Sequence, residues 1–297
     1  MSDLLTRAEL VKLSRALGAK PEDVAFLAPL GHLTLRNLED RLSALLFDEH
    51  RGAFQRLADS GRLLPASLVA KMSELVFGPM LSARVSGLMP PERAIEVAGK
   101  LRTKFLADVC VELDPRSASE LLALMPSRII VEVAQMLLKR REYLTMARFV
   151  DDLTDEAIRA VTRNIDDEAV LRIGAYVERP ARLEELLLLL PPGRLEAIVA
   201  RTARGSPEVQ AAGLTLMSQL GPKLQARIGE IAIGLGAEVL NALLSSSLRE
   251  EASDVIRSVM VNISAGSRAA FLKLTQGMDE ATRGSWTRLL SDAWDRR

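Results

Sequence analysis

The sequence predicts an all-α fold, namely a right-handed superhelix, or solenoid, of short helices in units of about twelve residues, flanked by additional helices. Three observations carry this prediction. Apolar residues recur at the spacing of one helix face, signals for helix starts recur with the same period, and the alternating Val, Ile and Thr pattern of strands is almost absent.

Nine groups of apolar or near-apolar residues between positions 88 and 203 occupy positions i, i+3, i+4 and i+7, one group with three of the four. This spacing places the side chains on one helix face and predicts that the face is buried. The interval between starts is twelve or thirteen residues, with one of sixteen. The groups begin at Ala94, Leu106, Ala118, Ile130, Met146, Ile158, Val170, Leu183 and Leu195.

Residues that favour helix starts precede seven of the nine groups by three or four positions. Asp, Ser and Thr side chains accept hydrogen bonds from the free N–H groups of a first turn, and proline tolerates that turn. A unit of twelve residues therefore predicts a helix of about two turns and a short connection. Because so short a helix is unstable alone, each must bury its apolar face against its neighbours. The starts are Pro90-Pro91, Asp114-Pro115, Pro126-Ser127, Thr154-Asp155, Asp166-Asp167, Pro180 and Pro191-Pro192.

Helical patterns also flank the array. The segment Gly205-Ser206-Pro207 is the strongest candidate boundary, because the apolar groups no longer recur every twelve residues directly after it. We predict an N-terminal helical segment over 1–87, the repeat array over 88–205, and a C-terminal helical segment over 206–297 that packs on the array or extends it. In the last of these, we expect Trp286 and Trp294 to cover the end of the array core rather than to bind a partner.

Composition restricts the class of protein. Lys plus Arg and Asp plus Glu each number 39, so the net charge of zero argues against nucleic-acid binding and permits a homo-oligomer. One cysteine excludes an internal disulfide framework and is typical of a reducing compartment.

No apolar run approaches the ~20 residues that span a bilayer. The charged residues among the first leucines argue against a signal peptide. We therefore expect a cytoplasmic protein without a membrane span.

No constellation of residues predicts catalysis or a cofactor. His32 and His50 lack metal-ligand spacing, and Cys110 falls on a buried helix face. The paired carboxylates Asp151-Asp152 and Asp166-Asp167 lie between predicted helices, where capping explains them; the alternative is a weak site for a divalent cation. We predict that the chain is not an enzyme.

The candidate partner-binding residues are basic and aromatic. They surround the sixteen-residue interval, where four extra residues interrupt the array. Insertions in arrays form loops on one face, often the binding face. The alternative is a solvated turn whose cations favour a helix C-terminus. The candidates are Lys139, Arg140, Arg141, Tyr143 and Arg148.

Four segments of the array are similar to one another and carry a resemblance: Leu88–Val97 (LMPPERAIEV), Leu113–Leu122 (LDPRSASELL), Leu153–Val161 (LTDEAIRAV) and Leu189–Ile198 (LLPPGRLEAI). They resemble the cytosolic N-terminal domain of MgtE-type magnesium transporters, a superhelix with L-x-P-E-x-A-A-E-x-L units. The flagellar switch protein FliG is similar in fold. The CBS domains, the membrane helices and the acidic excess of the transporter are not visible here. The Glu-His-Pro-Gln motif of FliG-type proteins is also missing, since Arg51 follows His50.

These patterns lead to one functional hypothesis and two alternatives. The hypothesis is a non-enzymatic cytoplasmic scaffold or adaptor that binds another protein. The resemblance implies the first alternative, a Mg²⁺-responsive regulatory domain. The second is a weak nucleic-acid binder that uses the basic residues between 139 and 148.

Overall fold

The structure, a computed structural model, describes residues 2–48, 51–115, 118–276 and 283–284. Every regular element in these residues is helical, so the prediction of an all-α fold is confirmed. The chain divides into two compact units. The first unit is Glu9–Ile165, and the second unit combines Met1–Ala8 with Asp166–Arg297. The boundaries expected near 87 and 205 lie inside these units, and the three-part organisation stays a prediction.

Helix α1, Ser2–Ala16, begins in the second unit and continues into the first. A 3-10 helix over Pro21–Leu30 and a π-helical turn over Ser73–Phe77 interrupt the α-helices that follow. The remaining helices of the first unit are α2 Gly31–Asp48, α3 Arg51–Gly61, α4 Ala66–Met72, α5 Gly78–Ser86, α6 Pro91–Ala98, α7 Thr103–Glu112, α8 Ser119–Leu124, α9 Ser127–Lys139, α10 Tyr143–Val150 and α11 Asp155–Thr162.

The second unit contains the helices of the C-terminal part. Several of them start at a proline, which the first helical turn accommodates without losing a hydrogen bond. They are α12 Asp167–Gly174, α13 Pro180–Leu188, α14 Arg194–Arg204, α15 Pro207–Gln219, α16 Pro222–Gly234, α17 Ala237–Arg249, α18 Ser253–Asn262 and α19 Ala265–Thr275. The predicted last helix, with Trp286 and Trp294, lies outside the described residues.

The helix register follows the apolar repeat. Seven array helices begin three residues before the first member of their apolar group, and α8 and α14 begin within one residue of theirs. Every member of the nine groups is buried or half-buried. The predicted buried face is therefore confirmed.

Two of the predicted helix starts are capped by side chains. Thr154 Oγ1 accepts a hydrogen bond from the Ala157 N–H at 3.3 Å, and Asp166 Oδ1 accepts one from the Ala169 N–H at 2.7 Å. Each bond satisfies a backbone donor that the first helical turn leaves without a partner. Capping is thus the observed role of Asp166.

Many helices pack against the helix two positions further along the chain, and in the second unit α12 also packs against α15 and α14 against α17. In the first unit α3, α5, α7, α9 and α11 form one such series, and α4, α6 and α8 form another. In the second unit the series are α12, α14, α16 and α18, and α15, α17 and α19. The eight-residue helix α10 differs, because it packs against the adjacent α9.

A buried ionic cluster holds α1 to α2 within the first unit. Glu9 and Lys12 are almost fully buried, although the sequence places them among the charged residues of an amphipathic helix. Glu9 Oε1 lies 3.2 Å from Lys12 Nζ and 2.7 Å from Arg36 Nη2. Burying these charges is tolerable because each faces an opposite charge.

Within the described residues, two helices end with a non-glycine residue in the left-handed conformation. Arg141 has φ +58° and Glu251 has φ +53°. At the end of α9, the Glu142 N–H bonds to the Leu137 carbonyl at 3.0 Å and the Arg141 N–H bonds to the Leu138 carbonyl at 2.9 Å. This is the Schellman arrangement, in which glycine is preferred because other residues suffer steric strain.

We expect Arg141→Gly to raise the free energy of unfolding by about 0.5–1 kcal/mol, because glycine relieves the strain of the positive φ. Glu251→Gly should behave alike. Urea titration followed by circular dichroism measures the change. Lys139→Gly is the control: it stands in regular helix and should lower stability by up to about 1 kcal/mol. Equal destabilisation by all three variants would contradict the assigned helix ends.

We expect Glu9→Ala to lower the free energy of unfolding by about 3–5 kcal/mol, because it removes the buried carboxylate that faces both the Lys12 ammonium and the Arg36 guanidinium. The matched control is Arg128→Ala, which breaks an exposed i,i+4 ion pair with Glu132 and should cost about 0.5 kcal/mol or less. The same titration compares them, and similar losses in both variants would contradict a buried cluster.

Candidate functional site

Large apolar side chains are exposed mainly in the early part of the first unit. Among the described residues, sixteen large hydrophobic side chains are exposed, and twelve of them lie between Leu17 and Met80. Single exposed leucines are ordinary, but exposed apolar side chains that are neighbours on the surface mark a site of interaction. The twelve are Leu17, Phe26, Leu30, Leu33, Leu38, Leu45, Leu57, Leu63, Leu68, Leu75, Val76 and Met80.

Three of these residues form what we term the π-turn patch: Leu75 and Val76, which lie in the π-helical turn, and Met80, which lies in the first turn of α5. Their exposed fractions are 81%, 73% and 63%. The π turn closes where the Gly78 N–H bonds to the Ser73 carbonyl. Gly78 has φ +72°, which favours glycine at this position. Single π turns inside helices occur frequently at functional sites.

The residues beside the patch are fixed from two sides. Ser73 is buried, and Glu74 reaches the start of α7. One Glu74 oxygen accepts from the Arg102 backbone N–H at 2.8 Å, and the other lies 2.7 Å from Arg102 Nε. Since Glu74 and Ser73 are held, the next two side chains, Leu75 and Val76, are presented to solvent on a defined backbone.

The patch is not among the residues that the sequence predicts to bind a partner, because the apolar period on which that prediction rests begins only at Leu88. A signal was present: Leu75, Val76 and Phe77 are three consecutive apolar residues directly before Gly78-Pro79. Three successive residues of a helix point in different directions, so a run of three cannot lie on one buried face.

The second apolar surface surrounds the 3-10 helix. Its Val24 is buried in a cluster with Leu13 and Leu35, whereas Phe26 is 76% exposed and Leu33, at the start of α2, is 63% exposed. The 3-10 helix therefore has one face in the core and a second apolar face in solvent.

The four-residue insertion does not form the expected loop. Its residues lengthen α9 to 13 residues, and only three residues connect α9 to α10. The segment Leu137–Lys139 contains good helix formers and no helix breaker, so the helix continues until the left-handed Arg141 ends it.

The five predicted partner-binding residues have different environments. Arg140 Nη1 lies 2.6 Å from Asp108 Oδ1, so this cation is paired inside the first unit. Lys139 and Arg141 are exposed, while Tyr143 and Arg148 are half-buried. Of the four predicted cations, Lys139 and Arg141 are therefore the exposed ones, and the role of the insertion in partner binding stays a prediction.

A second ion pair fixes the same turn. Arg15 Nη2 of α1 lies 2.6 Å from Glu142 Oε2, which also accepts a hydrogen bond from Thr145 Oγ1 at 3.2 Å. Together with the Arg140–Asp108 pair, it ties the insertion to two other helices of the unit. The turn is thus a structured part of the first unit.

The acidic residues around the start of α12 are engaged with arginines or with the backbone. Asp166 caps the helix, and Asp167 Oδ1 lies 2.9 Å from Arg194 Nε. A hydrogen bond from Arg201, with a further one from Arg172, lowers the pKa of Glu168. Within the described ranges, no three His, Cys, Asp or Glu side chains come together as a metal site would require.

The remaining predicted features carry no site geometry. His32 is half-buried, and His50 lies outside the described residues. Cys110 packs against the apolar cluster that contains Phe105, Val109 and Phe149. Burial raises the pKa of its thiol to about 12. In the part of the chain that the structure describes, no helix combines the length and the apolar character that crossing a bilayer needs.

Comparisons with known proteins add no relative: no family model, no curated protein and no solved structure matches this chain. The resemblance of the array to the MgtE-type domain therefore stays a prediction.

We expect Cys110 to react slowly with aromatic disulfide reagents at pH 8. With a pKa of about 12, its thiolate fraction is about a thousandfold below that of an unperturbed thiol. Absorbance measurements in buffer and in urea compare folded and unfolded chain; comparable rates would contradict a core thiol. Because the folded-state pKa lies above the unfolded one, this group leaves stability unchanged below about pH 9 and lowers it as the pH rises towards 12.

Proposed function

We propose that the chain is a non-enzymatic cytoplasmic interaction module, a superhelix of short helices that binds another protein. The observation that carries the proposal is the concentration of exposed large apolar side chains between Leu17 and Met80. We assign the contact to the π-turn patch, where Leu75 and Val76 are the most exposed apolar pair in adjacent positions.

The energetics of the patch favour a macromolecular partner. Covering apolar surface contributes about 25 cal/mol per Å², so three large side chains supply a few kcal/mol once a partner excludes water from them. The Glu74–Arg102 contacts already order the adjacent backbone. Less conformational entropy is then lost on binding, which favours affinity.

The polar features support a protein partner rather than a metal or a nucleic acid. The acidic side chains at the start of α12 already form ion pairs with arginines or accept a hydrogen bond from the backbone. Phosphate binding would require several unpaired cations along one surface, yet Arg140 is paired with Asp108 and the net charge is zero. Lys139 and Arg141 are exposed cations and offer a charged contact in addition to the apolar one.

The test is capture from lysate of the source cells by the immobilised chain, with partners identified by mass spectrometry. We expect Leu75→Gln combined with Met80→Gln to reduce recovery of a stoichiometric partner at least tenfold. Both side chains are exposed, so the change in stability should stay within about 0.5 kcal/mol. A Lys139→Ala, Arg141→Ala variant measures the contribution of the insertion, and we expect a smaller loss.

The matched control is Leu188→Gln, which changes an equally exposed leucine on α13 in the second unit. It should recover the partner as the wild type does. An unchanged set of recovered proteins in the patch variant, or the same loss in the Leu188 variant, would contradict the proposed surface. Circular dichroism of each variant establishes that helicity is retained.

A further inference from the structure

The second unit contains a partly open apolar cavity of about 100 Å³. It lies within the helical core, and residues of α12 to α19 line it. The lining is dominated by branched aliphatic side chains together with one aromatic ring. Representative lining residues are Ile198, Leu214, Ile228, Leu244, Val259 and Phe271.

The lining offers almost no polar group to a ligand. Thr202 is the one hydroxyl-bearing residue among the residues that line the cavity, and its Oγ1 donates to the Ile198 carbonyl at 2.9 Å. No ionisable side chain contributes. Water requires two to four polar partners in such a place, so a cavity of this kind favours hydrocarbon over water.

Glycines keep the surrounding helices in fixed positions. A Cβ atom on Gly213 would lie 2.5 Å from Thr202 Cγ2, and one on Gly229 would lie 2.3 Å from Val259 Cγ1. Helices α14 and α15, and likewise α16 and α18, are therefore already in closest contact at these points. Because they cannot approach further there, the larger side chains around the cavity cannot close it by moving the helices together.

We propose that this cavity is a binding site for a small neutral hydrocarbon group, of about the size of benzene and without hydrogen-bonding atoms. The volume sets the upper limit of size, since an engineered apolar cavity of about 150 Å³ binds benzene and this cavity, at about 100 Å³, is smaller. The chemistry follows from the lining, because a hydroxyl or a charge inside it would lose its water partners without replacement. This site is separate from the proposed interaction surface and does not depend on it.

The experiment is a titration of the full chain with benzene, with phenol as the matched polar probe. We expect saturable chemical-shift changes in the methyl groups of Leu244 and Val259, and a rise in melting temperature of about 2–4 °C at ten times the dissociation constant. Phenol should bind at least tenfold more weakly, because its hydroxyl finds no acceptor. Absence of lining-methyl shifts with benzene, or equal affinity for phenol, would overturn the proposal.

A filling variant gives a second test. Ala232 is buried and lines the cavity, so Ala232→Leu should reduce benzene affinity at least tenfold. The matched control is Ala197→Leu, at an exposed position of α14, which should bind benzene as the wild type does. Full benzene binding by a folded Ala232 variant would overturn the assignment. If that variant does not fold, the methyl shifts of the wild type and the comparison with phenol decide.

Discussion

The constraint on which the structure depends is the instability of a two-turn helix in water. Helices of eight residues, such as α6, α10, α11 and α12, are not stable alone, so the apolar face of each must be covered by another helix. For α6, α11 and α12 a covering helix stands two positions away in the chain, whereas α10 packs against the adjacent α9. One rule, contact between neighbouring short helices, therefore accounts for the period of the sequence, the aliphatic composition and the burial of every apolar group.

The features of functional interest lie where that rule is interrupted. The π turn before α5 places Leu75 and Val76 in solvent, because the backbone widens there and Gly78 ends it. The insertion before α10 lengthens α9 and ends with a strained Arg141. In a regular helix of the array, packing against neighbouring helices buries the apolar side chains. At an interruption a few side chains have no such neighbour and are available for binding.

The sequence predicts the helices of the array well, because local signals determine them. Apolar spacing defines the face, and Thr154 or Asp166 defines the start. Features that depend on three-dimensional neighbours were missed. The ion pair of Arg140 joins residues 32 positions apart. The burial of Glu9 requires Arg36, which lies on another helix, and the cavity depends on helix spacings set at Gly213 and Gly229. The exposure of the π-turn patch reflects a change in hydrogen-bond pattern that the apolar period does not encode.

Packing between next-but-one helices also determines how such a chain can change in length. Removal of a single helix would bring helices from one series opposite those of the other, and each would meet a face shaped for a different neighbour. Removal or duplication of two consecutive helices, about twenty-four residues, preserves both series. The smallest unit of insertion or deletion that the architecture tolerates is thus a helix pair, so homologous chains of different length should differ by multiples of that pair.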